Sequence, residues 1–251
     1  MRILAIVPAR SGSKGVPGKN IKRIKNVPLL AFSLWTAFRS KLFEEVLLST
    51  DEPEYFDVLR EMPIPRDYLR PKEIAGDTSP TVDALKHALQ WYEEQGKQFD
   101  AVMLLQPPAP FRTIGHLEYA VQLMRENPDA TCVTSTVRLW DHHPARTKKL
   151  FDQKWLVDFC SEAPEREPSR RQDLAPPAYL RNGAIYLSRS DLIRKRGLVW
   201  GDKVIGMEMP EPNSVNIDRH IDFITAESML DYEPYRPYLS EFDDLIRVYN
   251  E

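Results

Sequence analysis

Residues 3–20 read ILAIVPARSGSKGVPGKN, a run of aliphatic residues that leads directly into a loop of glycine, serine, proline and basic residues. An aliphatic run of this length is typical of a strand that is covered on both faces. Glycine and serine let backbone N–H groups approach phosphate oxygens closely, and Arg10, Lys14 and Lys19 add positive charge. The stretch therefore predicts a strand that carries an anion-binding loop at its carboxyl end. A triphosphate is an anion that needs several cations at once.

The order of residues in this loop matters more than its composition. It matches neither the GxxxxGK[ST] pattern nor GxGxxG, so the common phosphate-loop motifs do not explain it. On composition alone, a basic surface loop without a ligand remains an alternative.

Strand and helix patterns alternate along the rest of the chain. Apolar, β-branched runs predict strands at 46–49, 101–105, 131–137, 183–187 and 204–209, with a shorter run at 155–159. Helical spacing predicts helices at 29–38, 54–61, 114–125, 221–230 and 241–248, and another that is entered at 77–80 and ends near 94. Such units predict a doubly wound α/β fold with a mainly parallel, Rossmann-like sheet. Ligands of these sheets bind beyond the carboxyl ends of the strands, here the loops after Val7, Ser49 and Leu105.

The chain is predicted to form a single domain over 1–231, followed by a tail at 232–251. Charged residues and prolines accumulate over 141–177, which indicates an inserted lobe. The aromatic residues of this region could form a dimer interface or pack within the lobe. They are Trp140, Phe151, Trp155 and Phe159.

Composition excludes several classes of partner. The 34 basic and 37 acidic residues nearly cancel, so no global field favours nucleic acid or an anionic membrane. Cys132 and Cys160 lack metal-ligand spacing and are expected to be free thiols. Pro8 and Arg10 interrupt the apolar run at the start of the chain, so this run is too short for a signal peptide or a membrane span. A cytoplasmic location is expected.

The basic loop resembles the amino-terminal signature of the acylneuraminate cytidylyltransferase family, the CMP-sialic acid and CMP-nonulosonic acid synthetases. That signature is Ala-Arg-x-x-Ser-Lys-Gly followed by Lys-Asn. Further blocks resemble the family in order: 47–51 (LLSTD), 69–71 (LRP), 77–78 (DT), 104–107 (LLQP), 143–144 (HP), 171–174 (RQDL) and 182–186 (NGAIY). The resemblance covers roughly residues 2 to 230. It implies a Rossmann-like nucleotidyltransferase with a small inserted dimerisation lobe.

The same resemblance implies the reaction and the nucleotide site. The enzyme would transfer CMP from CTP to the anomeric hydroxyl of an acidic 2-keto-3-deoxy sugar and release pyrophosphate. Phosphates would be held by Arg10, Lys14 and Lys19, and cytosine by Asn20 and Arg70, because an amide and a guanidinium can distinguish its donor and acceptors from those of other bases. Asn20 as a turn residue and Arg70 as a surface cation remain alternatives. The full implied CTP set is Arg10, Ser13, Lys14, Lys19, Asn20, Arg70 and Asp77.

For the sugar, the resemblance implies Gln106, Arg146, Arg171 and Tyr186. Arg146 stands where the family has lysine, which keeps the charge and allows a bidentate hydrogen bond to a carboxylate. The stretch 170–181 is one residue longer than the usual family spacing. Sialic, legionaminic and pseudaminic acids cannot be distinguished from these residues.

The metal site departs from the family pattern. Asn216-Ile217-Asp218 stands where the family usually has Asp-Ile-Asp, which would hold Mg²⁺ (or Mn²⁺) against the triphosphate. We expect Asn216 to weaken or alter metal binding. A helix N-cap is the alternative role for Asp218, and Asp222 is expected to be structural. The predicted catalytic residues are therefore Arg10, Lys14, Lys19 and Asp218.

Other functions remain open at this point. One is transfer by the same fold to another sugar or from another nucleotide, such as CMP-Kdo synthesis or guanylyl transfer. A second, suggested by Asn216, is a nucleotide-binding paralogue without catalysis. The resemblance also implies a homodimer.

Overall fold

The computed structural model describes residues 1–12, 15–59, 62–162, 164–165 and 170–251. Its strands are β1 (Ile3–Pro8), β2 (Arg23–Ile24), β3 (Val27–Pro28), β4 (Glu45–Ser49), β5 (Ala101–Leu104), β6 (Cys132–Leu139), β7 (Lys148–Phe151), β8 (Trp155–Asp158), β9 (Ala178–Arg189) and β10 (Val204–Glu208). Its α-helices are α1 (Leu29–Ser40), α2 (Thr81–Glu93), α3 (Ile114–Glu126), α4 (His220–Asp231), α5 (Arg236–Leu239) and α6 (Asp243–Asn250).

The main sheet has six strands in the order β10-β6-β9-β5-β1-β4. β1 pairs in parallel with β4 and with β5, and β10 pairs in parallel with β6. Only β9 runs the other way, antiparallel to both of its neighbours. The predicted doubly wound, mainly parallel α/β sheet is confirmed.

Both faces of the sheet are covered, as the aliphatic β1 requires. Ile3, Ala5 and Val7 pack into one apolar cluster, which also contains residues of α1 and α3. Leu4 and Ile6 pack into a second cluster on the other face, with residues of α2. Because consecutive side chains of a strand point to opposite faces, the continuous apolar run of β1 serves both layers.

The strand register brings the functional loops to one edge. Pro8 at the end of β1 lies opposite Ser49 at the end of β4, and Ile6 lies opposite Leu104 at the end of β5. Since β9 is antiparallel, with Tyr186 opposite Leu104, its residues Asn182 and Gly183 reach the same edge. The loops after β1, β4 and β5 therefore converge with the start of β9.

The predicted helix at 54–61 is wrong. The structure has only a 3-10 turn at Pro53–Phe56, while Arg60 and Glu61 lie outside the described residues. Pro63 and Pro65 follow closely, and proline favours extended backbone in the residue before it. The buried residues Tyr55, Phe56 and Leu59 give this segment its helix-like apolar spacing without a helix.

The inserted region contains an antiparallel hairpin of β7 and β8. Its apolar side chains are largely exposed: Phe151 is 65% exposed, Trp155 59% and Phe159 65%. Among the described residues, the helices are too short or too polar to cross a bilayer.

Candidate functional site

A cavity of about 500 Å³ opens at the edge where the strand ends converge. Its lining combines residues from the loops after β1, β4 and β5 with the segment before α4. The predicted site residues that line it are Arg10, Lys19, Asn20, Arg70, Asp77, Gln106 and Asp218. These residues are distant in sequence, so the fold itself assembles the site.

The basic loop is held at its start by a carboxylate of the next strand end. Asp51 accepts hydrogen bonds from the Ser11 backbone N–H at 2.9 Å and from the Ser11 hydroxyl at 2.7 Å. Asn20, 5% exposed, donates its side-chain amide to the carbonyl of Arg10 at 2.9 Å, so it closes the loop as well as lining the cavity. Ser13 and Lys14, both predicted to bind CTP, lie outside the described residues.

Gly15 allows the loop to contact the segment that carries Asp218. A Cβ added at Gly15 would lie 2.7 Å from the carbonyl oxygen of Asp218, closer than real Cβ contacts occur. Any larger residue would push the loop and this segment apart. Glycine is needed here for close approach.

Two ion pairs lie in the cavity. Arg10 Nη1 lies 2.6 Å from Asp77 Oδ1, and Lys19 Nζ lies 3.0 Å from Asp218 Oδ1. The Asp218 side chain is 64% exposed, so its pair with Lys19 is worth only about 0–1 kcal/mol. An incoming polyanion can therefore replace the carboxylate partner of Lys19 at little cost.

Arg70 is fixed by buried polar neighbours. It is 7% exposed, its Nε donates to Ser49 Oγ at 3.1 Å, and its Nη2 donates to the Ser49 carbonyl. Ser49 Oγ lies 3.3 Å from the Tyr68 hydroxyl, which in turn lies 2.9 Å from His87 Nδ1 on α2. Burial lowers the pKa of Arg70 from its usual value. The proposed alternative of a surface cation is wrong for this buried arginine.

Gln106 lies where β5 leaves the sheet, next to the start of β9. Gly183 has a φ of +75°, and a Cβ there would lie 3.2 Å from Gln106 Oε1 and 4.0 Å from Asn216 Nδ2. Glycine is thus required both by its backbone angle and by the nearby amides. Gln106 and Asn216 approach the same point from two different segments.

The other predicted sugar-binding residues do not line this cavity. Tyr186 lies within β9 and packs against the second apolar cluster, and burial raises its pKa. Both lobe arginines lie near Asp141, with Arg146 Nη1 at 3.9 Å and Arg171 Nη1 at 3.6 Å from its carboxylate. Arg146 Nε also lies 3.6 Å from Glu165. Their contacts with a sugar stay predictions.

The segment 216–218 is not part of a sheet. Ile217 is buried and donates its N–H to the Pro108 carbonyl at 2.8 Å, while Asn216 and Asp218 are exposed. Only Asp218 lines the cavity, whereas the Asn216 amide lies near Gly183.

The alternative of Asp218 as a helix N-cap is wrong. Arg219 is the N-cap residue of α4, and Oδ2 of Asp222 in the first turn accepts the backbone N–H groups of Asp218 at 2.9 Å and of Arg219 at 2.7 Å. Burial acts to raise the pKa of Asp222, but hydrogen bonds from Arg219 and the two backbone amides lower it overall. The carboxylate of Asp218 is therefore left to face the cavity. His220 Nδ1 lies 2.8 Å from Lys22 Nζ.

The described side chains could supply only part of the coordination shell of a metal ion at this site. Within the part of the chain that the structure describes, no group of three or more His, Cys, Asp or Glu side chains could hold a metal. Mg²⁺ commonly takes only one or two protein carboxylates and completes its shell with phosphate oxygens and water. Asp218, exposed and lining the cavity beside the basic loop, fits such a shared site.

Ser49, Asp51 and Tyr68 fix the Arg70 side chain and the basic loop through hydrogen bonds, although the sequence predicts no role for them. A signal was available for the first two, because they follow β4 directly at the ligand-binding edge of the sheet. Tyr68 lies in a proline-rich connection and carries no comparable signal.

Residues 4–200 match the model of a protein family described as Cytidylyltransferase. The chain is 29% identical over 237 residues to the CMP-N,N'-diacetyllegionaminic acid synthase of Legionella pneumophila, covering 92% of this chain and 97% of that relative. It is 31% identical over 226 residues to an N-acylneuraminate cytidylyltransferase of Escherichia coli O18:K1:H7, covering 90% of this chain and 51% of that relative.

A solved structure supports the fold. The chain resembles CMP:2-keto-3-deoxy-manno-octonic acid synthetase complexed with CTP, with a TM-score of 0.65 and 16% identity over 92% of this chain and 99% of that one. At this identity the likeness shows a shared architecture.

Proposed function

We propose, from the premise that this chain belongs to the cytidylyltransferase family, that it transfers CMP from CTP to the anomeric hydroxyl of an acidic nonulosonic sugar and releases pyrophosphate. The observation that carries the proposal is the convergence of Arg10, Lys19, Asn20 and Arg70 on one cavity. The relatives named for legionaminic and neuraminic acids support the class of sugar.

The buried end of the cavity suits cytosine. Asn20 donates its side-chain amide to Arg10, which leaves its carbonyl oxygen to accept from the exocyclic amine of the base. Arg70 uses Nε and Nη2 on Ser49 and so keeps Nη1 for the cytosine carbonyl. Uracil, which has a carbonyl in place of the amine, would meet the Asn20 oxygen with an unpaired acceptor.

The basic loop suits the triphosphate. Arg10 and Lys19 exchange their carboxylate partners for phosphate oxygens. Lys14 is proposed to bind the phosphates as well. The anomeric oxygen forms a bond to the α-phosphorus while the bond from that phosphorus to the bridging oxygen breaks, and pyrophosphate leaves with the electron pair. The proton of the hydroxyl passes to solvent. Cations near the leaving group lower the barrier because charge develops there in the transition state.

We propose Mg²⁺ or Mn²⁺ as the metal ion that the reaction requires. When bound, such an ion neutralises phosphate charge and aligns the reacting oxygens. Asp218 would hold it, and Asn216 would contribute through its amide oxygen at most. Gly15 maintains the contact between the loop and the Asp218 segment.

The sugar belongs at the Gln106 side of the cavity. We propose that Gln106 contacts the sugar, with Tyr186 on β9 and the arginines Arg146 and Arg171 as further contacts. The guanidinium groups would bind the sugar carboxylate.

The proposal includes a homodimer in the cytoplasm. The exposed apolar side chains of the β7–β8 hairpin would be buried by a second copy. The thiols of Cys132 and Cys160 are free, which suits a reducing compartment.

The experiment that tests the proposal is an assay of pyrophosphate release. CTP, UTP, GTP and ATP are each supplied with N-acetylneuraminic acid, N,N′-diacetyllegionaminic acid, pseudaminic acid or Kdo. Release with CTP and a nonulosonic acid supports the proposal. Release with GTP or only with Kdo favours another transferase of the same fold, and CTP binding without turnover favours a non-catalytic paralogue.

A further inference from the structure

A buried arginine outside the family-implied site holds the loop that carries Gln106. Arg112 is 0% exposed. Burial lowers its pKa to about 9, and no ion pair with a carboxylate of the described residues compensates its charge. Burying a cation without an opposite charge costs free energy, so the hydrogen bonds of Arg112 must offset that cost.

Those hydrogen bonds join three separate segments. Nε donates to the Ala184 carbonyl at 2.8 Å, Nη1 to Ser33 Oγ at 2.6 Å and Nη2 to the Gln106 carbonyl at 2.5 Å. Ala184 belongs to β9 and Ser33 to α1. The planar guanidinium therefore fixes the Gln106 loop against the sheet and a helix at the same time.

The two carbonyl groups held by Arg112 belong to Gln106, which lines the cavity, and to Ala184 on β9. Ala184 directly follows Gly183, whose missing Cβ leaves room for Gln106 Oε1. Asn182 on the same strand accepts from Ser135 Oγ at 2.5 Å and donates to Ser214 Oγ at 2.9 Å. A change in the distance between Gln106 and Ala184 would move the Gln106 side chain relative to β9.

The loop that Arg112 anchors also supports the segment before Asp218. Phe111, its neighbour, accepts from Asn213 Nδ2 at 2.9 Å, and Pro108 accepts from the N–H of Ile217 at 2.8 Å. The Gln106 loop is thus placed between β9 and the 213–218 segment. Arg70 and Asn20 lie outside this network.

We propose that Arg112 is a positioning residue that sets Gln106 and β9 for the acidic sugar, while the cytosine contacts proposed for Asn20 and Arg70 do not depend on it. This inference rests on the proposed function. Misplacement of a substrate-positioning group by about 1 Å can cost on the order of 100-fold in rate. The loss is expected in the sugar-dependent step.

The test compares Arg112→Met and Arg112→Lys with wild type in the pyrophosphate assay. N-acetylneuraminic acid and N,N′-diacetyllegionaminic acid serve as the sugars. Arg112→Met should lower kcat/KM for the sugar about 100-fold while the KM for CTP stays within about twofold. Arg112→Lys should give an intermediate loss, because one ammonium cannot reproduce the planar fork.

Phe111→Leu is the matched control, since Phe111 is buried beside Arg112 and packs on Phe32 and Phe242. It should lower Tm but leave the ratio of the two KM values unchanged. If Arg112→Lys raises the KM for CTP by as large a factor as it lowers kcat/KM for the sugar, or if Phe111→Leu shows the same selective loss, the inference is wrong. Wild-type protein without pyrophosphate release would overturn the proposed function instead, and the role of Arg112 with it.

Discussion

Lys19 Nζ lies 3.0 Å from Asp218 Oδ1, although the two residues are 199 positions apart in the sequence. The pair joins the basic loop after β1 to the segment before α4 across the cavity. One partner is a predicted phosphate ligand and the other a predicted metal ligand. The two charges neutralise each other, which keeps both side chains at the site.

Replacing Lys19 by alanine should lower the rate of pyrophosphate release about 100- to 1000-fold, because a cation next to the leaving group is lost. The fold should persist, since Lys19 pairs with a carboxylate that is 64% exposed and such a pair contributes only about 0–1 kcal/mol. Lys22→Ala is the control: it removes the same charge three residues away, where Lys22 contacts His220. Near-normal turnover by folded Lys19→Ala protein would remove Lys19 from the phosphate site.

Two opposite substitutions test the metal site. Asp218→Asn removes one of the two carboxylates that line the cavity and should raise the Mg²⁺ concentration needed for half-maximal activity about tenfold, a loss of about 1.4 kcal/mol. Asn216→Asp restores the family's second carboxylate and should lower that concentration. The measurement is a Mg²⁺ titration of pyrophosphate release at fixed CTP. An unchanged Mg²⁺ requirement in both variants would exclude this segment as the metal site.

Tyr68→Phe tests how Arg70 is held. The substitution removes the hydroxyl between Ser49 and His87, and a lost hydrogen bond of about 0.5–1.5 kcal/mol should raise the KM for CTP about two- to tenfold with little change in kcat. Tyr92→Phe, in the same apolar cluster, is the control and should leave the KM for CTP unchanged. Equal changes in the KM for CTP with the two substitutions would show that the hydrogen bonds of the Tyr68 hydroxyl have no specific role at the site.

Asp222 predicts a pH dependence of stability. Its folded-state pKa is lowered, so its contribution is present above its unfolded value near pH 4 and is lost as the pH falls through the folded value. Asp222→Asn should cost about 1 kcal/mol in free energy of unfolding at pH 7, because an amide oxygen accepts these hydrogen bonds more weakly than a carboxylate. Urea unfolding should show wild type and variant converging below pH 4. A constant difference between pH 7 and pH 3 would contradict the ionised role of Asp222.

The sequence predicts the mainly parallel sheet and the convergence of the loops after its strands on one cavity, for a physical reason. Uninterrupted aliphatic runs such as 3–7 must be buried on both faces, which requires helices on both sides and parallel neighbours. Parallel strands then bring the loops after Val7 and Ser49 together at one edge. Arg10, Lys19, Asn20 and Arg70 follow from that arrangement together with the family resemblance.

Other features depend on tertiary contacts that no local pattern specifies. A helix is expected at 54–61 because the buried residues Tyr55 and Phe56 contribute to a helix-like apolar spacing. The structure has only a 3-10 turn at Pro53–Phe56. The charged residue Arg112 is recognised as buried only once Ala184, Ser33 and Gln106 are seen around it. The start of α4 at Arg219, with Asp222 rather than Asp218 accepting the backbone amides there, also depends on the path of the backbone.

A crystal structure of the protein with CTP and Mg²⁺ is the most direct test of the central claim, that the loop after β1 encloses the triphosphate of a cytosine nucleotide. The β- and γ-phosphates should lie within hydrogen-bonding distance of Arg10 and Lys19, with Lys19 released from Asp218. Cytosine should contact Asn20 and Arg70. A nucleotide bound elsewhere, or a loop that stays empty at saturating CTP with Lys19 still paired to Asp218, would contradict the account.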